Sequence, residues 1–231
     1  MDENDNLAGY CVDLVTVLGD RLSEELNKPI EVVKEPSSLS NRFDLVAQNT
    51  VHLECGANSI VDRKEDVVFS DPFFSSGTRF LVNNDNPSLD LDSQLEGIKL
   101  GVLQGSTTKQ YLQETYPDAE IVTFDGSDGN SEGIRAINSG DIDAMVSDRV
   151  LLTGEINRQG LNQNNYQTVP EQPLTCDYYG LILPAGDPQW RNTVNIFMRD
   201  RSAERVFDEW LGQYYQNAIS DLDYCQNQRR Q

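Results

Sequence analysis

The sequence contains few of the histidine and cysteine residues that bind zinc, and few of the basic residues that contact nucleic acid. Its only histidine is His52, and its four cysteines have no C-x-x-C spacing, so we expect neither a zinc site nor a cofactor. Its 18 basic residues are outnumbered by 38 acidic ones and form no basic stripe, which argues against nucleic acid as a partner. The net charge of −20 instead predicts an acidic, well-solvated surface.

Long apolar runs are also absent. No stretch approaches the ~20 consecutive apolar residues that cross a bilayer. Residues 1–6 are polar and acidic, whereas a signal peptide begins with a basic region followed by an apolar one. Three explanations stay open: a signal peptide has been removed, the chain is a fragment, or the protein stays inside the cell. The length of 231 residues allows one large domain or two small lobes.

Up to residue 82, the hydrophobic spacing predicts a mixture of helices and strands. An amphipathic helix is predicted over 11–26 and a short helix over 39–48. The strands predicted in this part are 29–34, 51–57, 67–69 and 78–82. Residues 83–92 are rich in Asn, Asp, Pro and Ser, which is typical of a boundary between domains.

Beyond this boundary, strands and helices alternate regularly. The predicted strands are 98–103, 119–124, 142–146, 166–169 and 178–183. The predicted helices are 107–116, 131–138, 149–159, 188–199 and 202–211. Alternation of this kind predicts a parallel sheet that is covered by helices, so we expect two α/β lobes.

Two segments of the first half carry a specific resemblance. Residues 9–14 read Gly-Tyr-Cys-Val-Asp-Leu, and residues 58–74 place Arg63 between two apolar, strand-like runs. An arginine that closes a loop beside a buried strand can present its planar fork to a carboxylate. With these segments the chain resembles the family 3 periplasmic solute-binding proteins and the ligand-binding domain of ionotropic glutamate receptors. The resemblance covers nearly all of the chain.

This resemblance implies a type II periplasmic-binding-protein fold, which is an α/β fold of two lobes joined by two hinge strands. Lobe 1 is expected to comprise residues 1–82 and 180–231, and lobe 2 residues 83–179. Only eight residues precede Gly9, so the N-terminal strand of such lobes is expected to be missing. The implied protein is a periplasmic or extracellular monomer that closes on a zwitterionic amino acid and delivers it to the membrane permease of an ABC transporter.

In lobe 1, the resemblance implies that Arg63 grips the carboxylate of the bound amino acid. The family pattern Thr-x-Thr-x-x-Arg reads Asn-Ser-Ile-Val-Asp-Arg here, so Asn58 replaces the first threonine and still offers an amide group. Gly56 belongs to the same element. The alternative for Arg63 is a surface ion pair with Asp62 or Asp66.

In lobe 2, the resemblance assigns ligand contacts to Gln104, Ser106, Thr107 and Asp148. The first three lie between a strand and a helix, where backbone N–H groups and hydroxyls bind anions. Asp148 comes between the predicted strand 142–146 and the predicted helix 149–159, at the place where a family acid holds the ligand's ammonium group. Both Ser106 and Asp148 have an alternative role as helix N-caps.

An even number of cysteines in a protein of exported type favours disulfides, and four cysteines allow three pairings. The family resemblance implies the pair Cys176–Cys225. Cys11 and Cys55 either form a second pair or stay as buried thiols.

Three other functions stay open. One is a dehydratase-like enzyme on the same fold, although no acid–base pair stands out in the sequence. Another is the extracellular sensor domain of a receptor, although no channel-forming apolar segment interrupts residues 83–92. The last is a truncated member of the family that binds no ligand.

Overall fold

The computed structural model describes residues 8–61, 66–85, 89–91, 93–126 and 128–228. The chain divides into two compact units. Unit 1 comprises Met1–Ser37, Asn41–Phe74 and Tyr178–Ala218, and unit 2 comprises Ser38–Ser40, Ser75–Asp177 and Ile219–Gln231. Within the described residues, no helix combines the length and the apolar character needed to cross a membrane.

The elements follow one another in α/β fashion. The helices are α1 (Tyr10–Leu26), α2 (Arg42–Ala47), α3 (Thr107–Thr115), α4 (Gly129–Ser139), α5 (Arg149–Arg158), α6 (Pro188–Phe197), α7 (Arg201–Leu211) and α8 (Tyr215–Gln228). The strands are β1 (Val67–Phe69), β2 (Phe74–Ser76), β3 (Thr78–Asn83), β4 (Lys99–Leu103), β5 (Glu120–Phe124), β6 (Ala144–Asp148), β7 (Tyr166–Val169), β8 (Asp177–Tyr179) and β9 (Ile182–Pro184).

Unit 1 is held together by the amphipathic face of α1. Leu14 and Leu18 lie one turn apart, so they point to the same side of the helix, and both are buried. They pack in one cluster with Leu183 of β9 and Phe197 of α6. The helix predicted from this spacing is thereby confirmed, and β9 is fixed beneath it by antiparallel pairing with β1.

Two strands predicted for this unit are wrong. Residues 29–34 form no strand, and Val33 is 77% exposed. In 51–57 the backbone of Glu54 exchanges hydrogen bonds with Ile182, and Glu54 forms only an isolated bridge. An alternating sequence becomes a strand only when a neighbour pairs with its backbone. Among the described residues, 29–34 has no such neighbour.

Unit 2 contains a five-stranded sheet in the order β5-β4-β6-β3-β7. Strand β4 runs parallel to both β5 and β6, as the alternation of strands and helices predicted. Strand β3, however, lies antiparallel between β6 and β7, so the sheet is mixed rather than wholly parallel. The reason is that β3 enters from unit 1 without the helical crossover that sets a parallel direction.

Side chains of successive strand residues fill two separate cores, one on each face of this sheet. The first core contains Phe80, Val82, Leu100, Val102, Leu112, Ala144 and Val146, together with other apolar residues. The second contains Leu81, Ile134, Ile137, Ile142, Met145, Leu152 and Ile156, together with partly buried neighbours. The alternation of Phe80, Leu81 and Val82 between these cores follows from the two-residue period of a strand. The sheet is therefore covered on both sides.

The two longest segments in which the units differ from the predicted lobes are 75–82 and 219–231; residues 38–40 and 178–179 differ as well. Residues 75–82 group with unit 2 because β3 belongs to its sheet, and residues 219–231 group with it as well. The disulfide Cys176–Cys225 joins the second segment to unit 2, with the Cα atoms 5.8 Å apart. In unit 1, Cys11 is bonded to Cys55. Both predicted disulfides are thus confirmed, and the possibility of free thiols at Cys11 and Cys55 is wrong.

Candidate functional site

Strands β4 and β6 end at one edge of the unit 2 sheet, which we call the carboxyl edge. They are parallel neighbours, with Leu100 opposite Ala144 and Val102 opposite Val146. Gln104 follows the last residue of β4, and Asp148 is the last residue of β6. The structure therefore brings these two predicted site residues to the same edge, which is where α/β sheets generally bind their ligands.

The turn after β4 leads directly into helix α3. Gly105 has a φ of +77°, a backbone conformation that glycine adopts without a steric cost. Ser106 caps the helix: its Oγ accepts a hydrogen bond from the Lys109 N–H (3.1 Å) and donates one to the Leu103 carbonyl (2.8 Å). The capping role that the sequence left open for Ser106 is therefore present. Thr107 is the first residue of α3, where N–H groups and the helix dipole favour an anion.

Gln104 is held by a neighbouring cation. Its Oε1 accepts a hydrogen bond from Lys109 Nζ at 2.6 Å, and its backbone N–H donates to the Phe124 carbonyl of β5. The carboxyl edge thus carries an ammonium group beside the predicted ligand contact. The sequence analysis did not name Lys109, although its position one turn into α3 makes it a neighbour of Gln104.

Asp148 is 8% exposed and stands at the N-cap position of α5. Its side chain makes no capping hydrogen bond to that helix, so the alternative capping role is absent. Thr78 of β3 lies opposite Asp148 in the antiparallel register and is 1% exposed. A largely buried carboxylate is therefore placed at the carboxyl edge by its strand, next to a buried threonine.

That threonine belongs to a group of hydroxyls which the sequence analysis missed. Thr175 Oγ1 lies 2.9 Å from Thr78 Oγ1, accepts a hydrogen bond from the Thr78 N–H (3.1 Å) and bonds to the Asp177 carboxylate. Thr108 Oγ1 is 3.5 Å from Thr78 Oγ1. These residues come from three separate segments of the chain, so no local pattern could have grouped them.

In unit 1, Asn58 is completely buried and its amide is bound to an acid. Its Nδ2 donates to Glu54 Oε2, and Ser37 Oγ donates to Glu54 Oε1 at 3.1 Å. Asn58 Oδ1 is buried without a hydrogen-bond partner among the described residues. A Cβ on Gly56 would lie 3.2 Å from Glu54 Oε1, so this position has little room for a side chain. The Asn58 amide thus contributes to a buried polar cluster.

Arg42 of α2 adds a positive charge to the same part of unit 1. Burial lowers the pKa of its guanidinium, and the negative charge of Glu54 partly opposes this shift. The guanidinium carbon lies 5.1 Å from the centre of the Phe43 ring. Arg63, in contrast, lies outside the described residues, so its role in carboxylate binding stays a prediction.

Known proteins resemble this chain in sequence and in fold. The glutamate/aspartate import solute-binding protein of Escherichia coli (strain K12) is 26% identical over 217 residues, which cover 91% of this chain and 71% of that protein. A crystal structure of an ancestral amino acid-binding protein, described as a precursor of cyclohexadienyl dehydratase, is 26% identical with a TM-score of 0.72; the match covers 90% of this chain and 88% of that one.

The ligand-binding core of GluR0 from Nostoc punctiforme, solved with L-glutamate, has a TM-score of 0.70 and 25% identity. The match covers 90% of this chain and 92% of that one. The predicted type II fold and the likeness to glutamate receptor cores are thereby confirmed. Residues 1–217 match the profile of the bacterial extracellular solute-binding proteins, family 3. The chain belongs to this family.

Proposed function

We propose that this protein captures a free amino acid outside the cytoplasm and delivers it to the permease of an ABC transporter. Membership of an extracellular solute-binding family supports the general role. The names of the relatives support an amino acid as the solute, since the Escherichia coli protein is named a glutamate/aspartate import solute-binding protein. We further propose that the protein acts as a monomer and resides in the periplasm or at the cell surface.

The observation that carries this proposal is the chemistry of the carboxyl edge in unit 2. The largely buried carboxylate of Asp148, at the end of β6, can attract an ammonium group by its negative charge. The start of α3, with Thr107 in its first turn, suits an anionic group. An amino acid zwitterion offers both kinds of group, whereas a sugar or a simple anion offers only one or neither.

Arg63 is the residue that we propose for the ligand carboxylate in unit 1. Its guanidinium can form two parallel hydrogen bonds with the two carboxylate oxygens. We also keep Gly56 and Asn58 as parts of this element. Because the Asn58 side chain is already bound to Glu54, we propose that it acts by fixing the loop rather than by holding the ammonium group.

We propose that the protein is a binding protein and not an enzyme. The Escherichia coli relative is a binding protein, and the similar ancestral structure is itself an amino acid-binding protein, although it is described as a precursor of a dehydratase. Incubation with a prephenate-like cyclic acid tests this assignment. Formation of an aromatic product would contradict it.

Calorimetric titration of matched variants tests the proposed contacts. Arg63→Ala leaves the ligand carboxylate without its cation, so the binding free energy should become less favourable by about 2–5 kcal/mol. Arg63→Lys keeps the charge but loses the bidentate geometry, so it should also weaken binding. Asp148→Asn removes the anion that pairs with the ligand ammonium and should also weaken binding. Arg191→Ala and Asp118→Asn change exposed residues and serve as controls. Binding within threefold of the parent for both Arg63→Ala and Asp148→Asn would overturn the proposed site.

A further inference from the structure

The last helix is attached to unit 2 by a covalent bond and an ion pair on one face. Cys225 is buried and bonded to Cys176. Asp221 lies one helical turn earlier, so it projects from the same face. Its Oδ1 accepts a hydrogen bond from Arg79 Nη2 of β3 at 2.7 Å. This segment of α8 is therefore fixed to the central part of the unit 2 sheet.

Both charges of this ion pair are withdrawn from water. The side chain of Arg79 is 1% exposed and that of Asp221 is 4% exposed. A buried pair of this kind seldom stabilises a fold more than apolar residues of similar size would. Arg79 uses its other donors on backbone carbonyls, with Nη2 2.9 Å from the Glu171 oxygen and Nη1 3.3 Å from the Gly77 oxygen.

The Gly77 carbonyl connects this ion pair with the carboxyl edge. In addition to the hydrogen bond from Arg79 Nη1, this carbonyl accepts one from the Arg149 N–H at 3.2 Å. Arg149 directly follows Asp148, and the residue after Gly77 lies opposite Asp148 in the sheet. A Cβ on Gly77 would overlap the Thr175 carbonyl, so the backbone here is closely packed. A continuous set of hydrogen bonds thus runs from α8 to the peptide beside Asp148.

We propose that Arg79, held by Asp221, is a positioning residue that fixes the Asp148 carboxylate for the ligand's ammonium group. The guanidinium orients the Gly77 carbonyl, and this carbonyl fixes the Arg149 amide at the start of α5. This amide belongs to the peptide bond that follows Asp148, so fixing it also fixes the backbone from which the Asp148 side chain projects. The ligand-binding part of this inference rests on the proposed function, whereas the positioning part concerns the fold alone.

The charge of Asp221 also acts on Arg149 itself. Burial and the positive charge of Arg79 lower the pKa of the Arg149 guanidinium, while Asp221 and Glu171 oppose this shift. Loss of the Asp221 charge would therefore leave two neighbouring cations with less compensation. The loss of the ion pair with Arg79 and the weaker compensation of the Arg149 charge would both disturb the turn between β6 and α5.

Hydrogen exchange tests the positioning role without any ligand. In Asp221→Asn the side chain keeps its shape, but the Arg79 charge loses its partner, so protection of the Arg149 amide should fall about tenfold. Asp223→Asn changes an exposed acid of the same helix and should leave this protection unchanged. Equal protection of the Arg149 amide in Asp221→Asn and the parent would overturn the inference.

A second variant keeps the test valid if Asp221→Asn does not fold. The double change Arg79→Met with Asp221→Leu removes both charges together and keeps apolar volume in the core. The disulfide still holds α8 in this variant, but the Gly77 carbonyl loses its guanidinium donor. Protection at Arg149 should fall here as well. A folded double variant with parental protection would refute the role of Arg79.

Titration with two ligands separates this inference from the proposed function. L-Glutamate has an ammonium group, and glutarate has the same two carboxylates without it. If the parent prefers L-glutamate, Asp221→Asn should reduce this preference about tenfold while glutarate affinity changes little. Equal losses for both ligands would indicate general loosening and would overturn the positioning of Asp148. If the parent shows no binding of any amino acid, the proposed function fails, and the exchange experiment still decides the positioning role.

Discussion

Replacement of Cys176 and Cys225 by alanine should destabilise unit 2 and leave unit 1 largely unaffected. The two cysteines are 49 residues apart, and both belong to unit 2. Their disulfide lowers the conformational entropy of the unfolded chain, because the cross-link keeps the two ends of this long loop together in the unfolded state. In the chain-entropy account, a loop of this size corresponds to about 4 kcal/mol of folding free energy.

The second disulfide provides a matched comparison. Cys11 and Cys55 are 44 residues apart and belong to unit 1. Because the entropy term depends on the logarithm of loop length, the two bridges should contribute nearly the same free energy, about 4 kcal/mol each. This equality is expected although Cys225 is buried and belongs to a helix, whereas Cys55 lies in an irregular segment.

Urea unfolding, followed by probes in each unit, measures both effects. With a slope of about 2 kcal/mol per molar urea, the loss of one bridge should lower the midpoint of its own unit by about 2 M. Each double alanine variant is the control for the other. A shift in the midpoint of unit 2 well below 1 M for Cys176→Ala with Cys225→Ala would refute the entropic reasoning.

Three further changes test particular contacts. Burial raises the pKa of the Tyr10 hydroxyl above the value of about 10 that it has in the unfolded chain. The folded state should therefore keep its full stability below pH ~10 and lose stability as the pH rises above that value. Tyr10→Phe should remove this part of the alkaline loss of stability in a pH series of thermal melts. Asn58→Ala removes the donor to Glu54 Oε2 and leaves only Ser37 Oγ bonded to this buried carboxylate, so it should cost about 1–3 kcal/mol in urea unfolding; an unchanged midpoint would contradict the buried cluster. Gly77→Ala overlaps a neighbouring carbonyl and should cost about 1–3 kcal/mol, whereas Gly186→Ala has open space and should cost little; equal melts would refute this packing.

The sequence was most informative where local pattern determines structure. Apolar spacing located α1 and α7 to within one residue, and the predicted strands 98–103 and 142–146 located β4 and β6 to within two residues. Gln104 and Asp148, which the family resemblance assigned to the ligand, lie at the ends of β4 and β6, and these parallel strands end at one edge of the sheet.

The structural features that the sequence did not predict depend on contacts between residues that are distant in the chain. The segment 29–34 alternates like a strand, but its pairing could not be read from its own residues. Helix α8 was not predicted, because few apolar residues mark it and its attachment depends on Cys176 and Arg79. The ion pair between Arg79 and Asp221 joins residues 142 positions apart, and only the folded chain brings them together.

The burial of Asn58 shows the same limit at the candidate site. Its position in the family pattern suggested a ligand contact, and its residue type was compatible with that role. The structure instead directs its amide to Glu54, which lies four residues earlier. A polar residue near a predicted site can therefore belong to the support of the site, and only burial and hydrogen bonding distinguish the two roles.

The most direct test of amino acid binding is a thermal-shift titration of the parent protein with each standard amino acid. A ligand present at about 100 times its dissociation constant stabilises the folded state by about 2.7 kcal/mol. At least one amino acid should therefore raise the melting temperature in a concentration-dependent manner, and Asp148→Asn should reduce that rise. The absence of any rise at millimolar concentrations of all of them would contradict the proposal that this protein captures amino acids.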